Sequence, residues 1–180
     1  MSKSLKAYTI DNIIRIEGGY VNDPNDSGGE TNFGITKAVA RSFGYDGPMV
    51  DMPREVAFDI YAAKYWDTVR GDDLVALNHK VAEEVVDTGV NMGISRAGKF
   101  LQRSLNALNN RGTLYPDITV DGDIGNATLT ALSQMIDKRD TDTLVKMLNC
   151  LQGAFYVDLA ERREKDEKFI YGWFKNRVKL

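Results

Sequence analysis

Apolar residues recur at helical spacing through most of the chain, and that recurrence first breaks between Tyr20 and Ile35. Ala7, Ile10, Ile13 and Ile14 follow the i, i+3, i+4 rule, so Lys3 to about Glu17 reads as a helix stopped by Gly18-Gly19. The interruption carries Asn-Asp-Pro-Asn-Asp-Ser-Gly-Gly, a run of turn formers, between short extended pieces around Tyr20-Val21 and Asn32-Phe33. It reads as a small hairpin. Helices are expected again at Thr36 to Phe43, Pro53 to Trp66, one through Leu74, Leu77, Val81, Val85 and Thr88, and one capped by Ser95 that carries Phe100, Leu101, Leu105 and Leu108. After a looser stretch from Asn109 to Gly125, two more fall at Asn126 to Ile136 and Thr141 to about Lys165. The fold class is mainly α (α+β), a helical bundle with a small β-hairpin.

The chain has 180 residues, one cysteine, Cys150, and one histidine, His79, so it folds by its core rather than by disulfides and has no Cys/His zinc set. Cys150 sits in Leu-Asn-Cys-Leu and reads as a buried small hydrophobe; His79 reads as a surface or capping residue. No metal and no cofactor is expected. Carboxylates remain for acid–base work. No stretch approaches the ~20 apolar residues that span a bilayer, and residues 1–11 lack the apolar run of a secretory signal. A protein held in the cytoplasm without membrane insertion is therefore expected.

Charge is uneven. Residues 1–90 carry nine Lys and Arg against fifteen Asp and Glu, whereas residues 91–180 carry fourteen against eleven. The basic half is suited to an anionic polymer, or is simply an ordinary solvated surface. With a pI near 5.3, nucleic acid is a poor choice of polymer.

On the first helix, Glu17 projects onto the stripe of Ile10, Ile13 and Ile14, a core-facing position for a carboxylate. Burial disfavours the ionised form and would fit Glu17 to act as a general acid, while the competing reading is a helix-end Glu that reaches solvent. The loop that follows concentrates Asp23, Asp26, Glu30, Thr31 and Asn32, among which a second catalytic group can stand; turn formation also explains the aspartates, Asp23 above all.

Glu17-Gly18-Gly19-Tyr20, Asp26 after eight intervening residues, Gly28-Gly29, Thr31 after four more, and Asn32-Phe33-Gly34-Ile35-Thr36 together resemble glycoside hydrolase family 108, muramidases found in many phage endolysins. Ile60-Tyr61, Tyr65-Trp66 and Val90-Asn91 extend the resemblance over roughly residues 8–95. The spacing is also similar to the Glu, Asp, Thr triad of phage-type lysozymes, with an Asp-to-Thr gap one residue shorter, and Ser27 stands where the family often has proline. Residues 96–178 resemble the peptidoglycan-binding segment that follows in this family, through Leu101-Gln102, Asp121-Gly122-Asp123-Ile124-Gly125 with Thr128, and the tail Gly172-Trp173-Phe174-Lys175-Asn176-Arg177-Val178. The Asp-Gly-x-x-Gly-x-x-Thr run reads equally as a turn before a capped helix.

The resemblance implies a lysozyme-like fold, a catalytic region at 8–95, and a helical wall-binding region at 96–178 packed into the same globule. It implies hydrolysis of the β-1,4 bond between N-acetylmuramic acid and N-acetylglucosamine in bacterial peptidoglycan, with Glu17 as acid and Asp26 and Thr31 positioning water. Tyr20, Asn32, Tyr65, Trp66 and Asn91 are candidate saccharide contacts, although core packing accounts equally for the aromatic residues and a helix cap for Asn91. The same resemblance implies a monomer released from the host cytoplasm by a separate holin-type pore. A lytic transglycosylase with a single Glu, and a silent wall-binding or virion module, are the alternatives.

Overall fold

A computed structural model of the chain describes residues 4–22 and 29–178. Its order is α1 (Leu5–Glu17), β1 (Thr31–Asn32), β2 (Ile35–Thr36), α2 (Lys37–Ser42), a 3-10 turn (Met49–Asp51), α3 (Arg54–Tyr61), a π-helical segment (Ala62–Asp67), α4 (Gly71–Leu77), α5 (His79–Met92), α6 (Ile94–Leu108), α7 (Asn126–Lys138), α8 (Thr141–Arg162), a second 3-10 turn (Glu164–Asp166) and α9 (Glu167–Asn176). The mainly helical class with a minor sheet is as the periodicity implies. Contacts divide the chain into two compact units, residues 1–68 and 69–180.

In the first unit α1 begins where the Ser4 hydroxyl accepts from the Ala7 N–H at 3.2 Å, which satisfies a helix-end donor. Ile10, Ile13 and Ile14 are buried, and α1 packs on α3 and on the π-helical segment through Ala57, Ile60, Tyr61, Ala62 and Trp66. The strands pair antiparallel, Thr31 with Thr36 and Asn32 with Ile35, and Val21 bridges Thr31 from the other side. The connection is two residues, Phe33 and Gly34, at φ 51° and 71°. Positive φ at both central positions is the geometry of the tight hairpin turn that follows the natural twist of two strands. Phe33 thus belongs to the turn rather than to an extended piece.

In the second unit α5 packs on α4, α6 and α8, and α6 on α7. Its core is Leu74, Val81, Val85, Phe100, Leu101, Leu105, Leu132, Met135, Leu144 and Leu148. The helix expected through Leu74 to Thr88 is two helices, because Asn78 turns extended (φ −162°) and its side chain caps α5 at Val81 N–H, 3.1 Å. α5 then continues through Gly89 to Met92, and Gly93, not Ser95, precedes α6. The tail forms a further helix, α9, which Trp173 seats by stacking on Tyr156 with ring centres 4.7 Å apart. Cys150, expected inside, is exposed: it lies on the outward side of α8, whose inner side is set by Leu144, Leu148, Gln152 and Tyr156.

The Asp-Gly-x-x-Gly-x-x-Thr run is a turn pinned from α6 by one buried amide. Gln102 is 1% exposed; its Nε2 donates to Asp121 Oδ1 at 2.7 Å and to the Asp123 carbonyl at 2.8 Å, and its Oε1 accepts from Gly122 N–H at 2.8 Å. These bonds, with the Asp123 N–H, hold the Asp121 carboxyl below the usual carboxylate range. Thr128 is not a cap: it is buried, and its hydroxyl oxygen lies 3.3 Å from the Gln102 amide. A β-carbon on Gly98 would lie 2.2 Å from the Gly122 carbonyl oxygen, so α6 and the turn meet backbone to backbone. A Gln102→Met variant keeps the volume and strands Gly122 N–H and the Asp123 carbonyl. We expect it to lose about 2–4 kcal/mol in urea unfolding, against under ~1 kcal/mol for Gln134→Met on the half-exposed side of α7.

Candidate active site

Glu17 is the last residue of α1, and Gly18 at φ 82° ends the helix immediately after it. A residue one turn beyond Ile13 and Ile14 would continue their buried stripe if the neighbouring elements reached that far. They do not. Glu17 is exposed, which corrects the expectation of a carboxylate shut inside the core. What it meets is the turn of the hairpin: a β-carbon built on Gly34 would lie 2.7 Å from Glu17 Oε2, 3.0 Å from Glu17 Cβ and 3.0 Å from the Tyr61 hydroxyl. The glycine touching the carboxylate has no side chain with which to cover it.

The turn is held there from two directions. The Tyr61 hydroxyl donates to the Phe33 carbonyl at 2.8 Å, and Asn32 Nδ2 donates to the Met49 carbonyl at 2.7 Å. The first of these fixes a bulky residue in left-handed backbone, a conformation costing roughly 1–2 kcal/mol. At the base of the hairpin Glu30 takes the Tyr20 hydroxyl at 2.9 Å and Lys37 Nζ at 3.1 Å. Lys37 and Tyr20 hold the Glu30 carboxyl low, and the bond to Glu30 raises the Tyr20 phenol.

Tyr61 and Tyr65 stack 5.8 Å apart, one turn apart along α3 and the π-helical segment. Burial raises both phenols, and the negative charge of Glu17 raises them further, Tyr61 to beyond the ordinary phenol range. Two neutral rings therefore stand within electrostatic reach of one carboxylate. A groove of about 580 Å³ along α1 shares Phe33 with the hairpin turn and Gly18-Gly19 with the end of the helix, with Arg15 and Arg54 also in its lining. Arg54 pairs with Asp11 and Arg15 donates to Asn12 at 3.3 Å. Among the described residues no three His, Cys, Asp or Glu side chains converge on a point where a metal can sit.

The sequence candidates divide accordingly. Glu17, Thr31, Tyr20 and Tyr65 lie in the first unit, with Thr31 half-buried on β1, Tyr65 half-buried and Tyr20 39% exposed. Asp26 lies outside the described residues. Trp66, proposed to face a sugar, is 1% exposed and closes the core instead. Asn32 is 4% exposed with its amide committed to the Met49 carbonyl, so it braces the hairpin rather than meeting a ligand. Asn91 belongs to the second unit and donates to the Asp87 carbonyl one turn back on its own helix at 2.8 Å. Glu30, one of the polar residues of the loop, is committed to Tyr20 and Lys37, while Gly34 and Tyr61 are not among the candidates. A glycine between Asn-Phe and two β-branched residues, Ile35 and Thr36, is the trace that a two-residue turn leaves in sequence.

Residues 10–93 match the family model Glycosyl hydrolase 108. The part of the chain that carries Glu17, the hairpin, Tyr61 and Tyr65 is thus similar to the glycosyl hydrolase 108 family. Residues 96–178 match the model Predicted Peptidoglycan domain. Among solved structures, the chain is similar to that titled "Structure of Brucella abortus SagA", with 29% identity and a TM-score of 0.64 over 97% of this chain and 90% of that one. No curated protein matches the chain. The two family matches support a glycoside hydrolase acting on peptidoglycan.

Gly34 is required twice, by its φ of 71° and by the carboxylate that occupies the space of a side chain. We expect Gly34→Ala to push Glu17 off its place while the helices, read by circular dichroism, stay intact. Wall-clearing activity should fall at least about tenfold, equivalent to ~1.4 kcal/mol of barrier. An alanine variant as active as the parent would show that the carboxylate does not need the turn.

Proposed function

We propose that the chain is an N-acetylmuramidase that hydrolyses the β-1,4 bond between N-acetylmuramic acid and N-acetylglucosamine, with Glu17 as general acid. The observation that carries this reading is the placement of the Glu17 carboxylate against the glycine of a two-residue hairpin turn, beside Tyr61 and Tyr65, within a glycosyl hydrolase 108 region.

Cleavage of a glycosidic bond requires a proton on the leaving oxygen and relief of oxocarbenium-like charge at the anomeric carbon. A carboxyl open to water on one side and lodged against backbone on the other meets the first need. A glycan seated over it displaces the water on the open side, and a desolvated carboxyl favours its protonated form, ready to donate. Gly18, Gly19 and Gly34 leave room for a bulky polymer to approach. Thr31, three residues before the turn glycine, and Asp26 position the attacking water, and inversion at the anomeric carbon follows. An inverting pair holds its carboxyl groups ~6.5–9.5 Å apart to admit that water. Tyr65 and Tyr20 offer ring faces to the C–H faces of the sugars.

The biological reading is a phage endolysin, acting as a monomer on the host wall after a holin-type pore releases it from the cytoplasm. Its support is the pairing of a hydrolase region with a peptidoglycan region in one chain. Among the described residues no helix is long and apolar enough to cross a membrane.

Mass analysis of purified sacculi digested by the parent and by Glu17→Gln tests bond, product type and acid together. The parent should yield reducing muropeptides ending in N-acetylmuramic acid, one water heavier than the 1,6-anhydro products of a transglycosylase. The variant should lose at least ~100-fold in rate, the usual worth of a positioned proton donor. Anhydro products, or a glutamine variant that digests normally, would falsify the assignment.

A further inference from the structure

The second unit contains a groove of about 390 Å³ between the segment 116–119 and α7, within the range of roughly 300–1,000 Å³ typical of small-ligand sites. We infer that this groove holds the stem peptide of peptidoglycan in extended form, with the unsubstituted ammonium group of its diamino acid on Asp117. The inference rests on peptidoglycan being the partner of residues 96–178 and is independent of the chemistry assigned to Glu17.

One wall of the groove is the segment 116–119, which belongs to no helix or strand and is tied to α6 through Ile118. Asn106 supplies that tie with its side chain: its Nδ2 donates to the Ile118 carbonyl at 2.8 Å, and its Oδ1 accepts from Ile118 N–H at 2.9 Å. Among the described residues no hydrogen bond engages the backbone N–H or carbonyl of Thr119. The run is also rigid. Tyr115, 3% exposed, donates from its hydroxyl to the Leu105 carbonyl at 2.8 Å, and Asn109 Nδ2 donates to Asp117 Oδ1 at 2.6 Å. A segment anchored at Asp117 and Ile118, with the backbone groups of Thr119 unengaged, can bond the main chain of a peptide at little ordering cost on the protein side.

The facing wall is α7, which presents Ala127, Thr130, Ala131 and Gln134 at i, i+3, i+4 and i+7, one helix face. Small side chains let a peptide backbone lie close, and Thr130 and Gln134 offer hydroxyl and amide partners. Charge selects the occupant. Asp117 is the only charged residue in the lining. In the wall polymer the sugars are neutral or carry a carboxylate, and the stem bears carboxylates too. Its cationic group is the side-chain amine of the diamino acid wherever no cross-link has consumed it. An acidic groove therefore favours uncross-linked stems and is poorly matched to the bare glycan.

The test uses the full 15N-labelled chain and the sugar-free peptide N-acetyl-L-Ala-γ-D-Glu-meso-diaminopimelate-D-Ala, whose one amine is that of the diamino acid side chain and which has no glycosidic bond to cleave. Titration should move the amide resonances of Thr119, Ala127, Thr130 and Ala131 together. Acetylating the peptide amine, or replacing Asp117→Asn, should weaken binding about tenfold. Thr130→Trp, at an exposed helix position, should block it with the fold intact by circular dichroism. Sedimentation with purified sacculi is run in parallel. If sacculi carry the chain down while the peptide leaves these amides unmoved, or the acetylated peptide binds equally well, the groove assignment fails and the wall reading stands. If neither sacculi nor peptide binds, both fail.

Discussion

The Glu17 carboxylate fills the space that a side chain on Gly34 would need, and the hairpin turn is arranged around that approach. Gly34 can neither carry a side chain nor leave left-handed backbone without displacing Glu17, because its missing β-carbon would fall 2.7 Å from Oε2. The turn cannot retreat either, since Tyr61 grips the Phe33 carbonyl and Asn32 grips the Met49 carbonyl. A helix end is ordinarily among the looser parts of a protein. Here a strand turn from one side and α3 from the other make it a defined place for one charge.

The same contact explains why the tyrosines matter. Tyr61 and Tyr65 are held neutral first by burial and then by the charge of Glu17, so the carboxylate faces two rings rather than two further anions. The π-helical segment that follows α3 contributes to this. It keeps Tyr65 stacked on Tyr61 while directing Trp66 inward, where the indole fills the core at 1% exposure. Such widened turns recur at functional sites because they rotate one side chain out of the regular helical sequence.

Most of the helical architecture was legible because its cause, apolar spacing at 3.6 residues per turn, is written locally. The breaks were less so. Asn78 divides what reads as a continuous helix, because a residue that can cap with its own side chain gains nothing from remaining inside. Phe33 reads as extended from its β propensity, but tertiary bonds from Tyr61 and the need for a two-residue turn override that preference. Within the site, Glu17 was found from its stripe, and the stripe misjudged its environment: periodicity says which way a side chain points and is silent on how far the neighbour extends. Asn32 and Trp66 were chosen for chemistry that their burial commits to the fold. Tyr61 and Gly34 act through distances across the chain, 28 residues apart for the Tyr61–Phe33 bond, and no local pattern records these.

That Glu17 lies open in the unbound protein bears on the proposal that it is the general acid. A carboxyl buried in the core carries its desolvation cost permanently, as lost stability, whether or not substrate is present. A carboxyl backed by glycine and uncovered in front defers that cost until a polymer arrives to cover it, and the energy then comes from the contacts the polymer makes elsewhere. In the proposed reading such contacts fall to residues 96–178, which match a peptidoglycan domain, and that is a physical reason for the two regions to share one chain. In the proposed reading the glycine at the turn serves Glu17 by what it leaves open as much as by how closely it approaches.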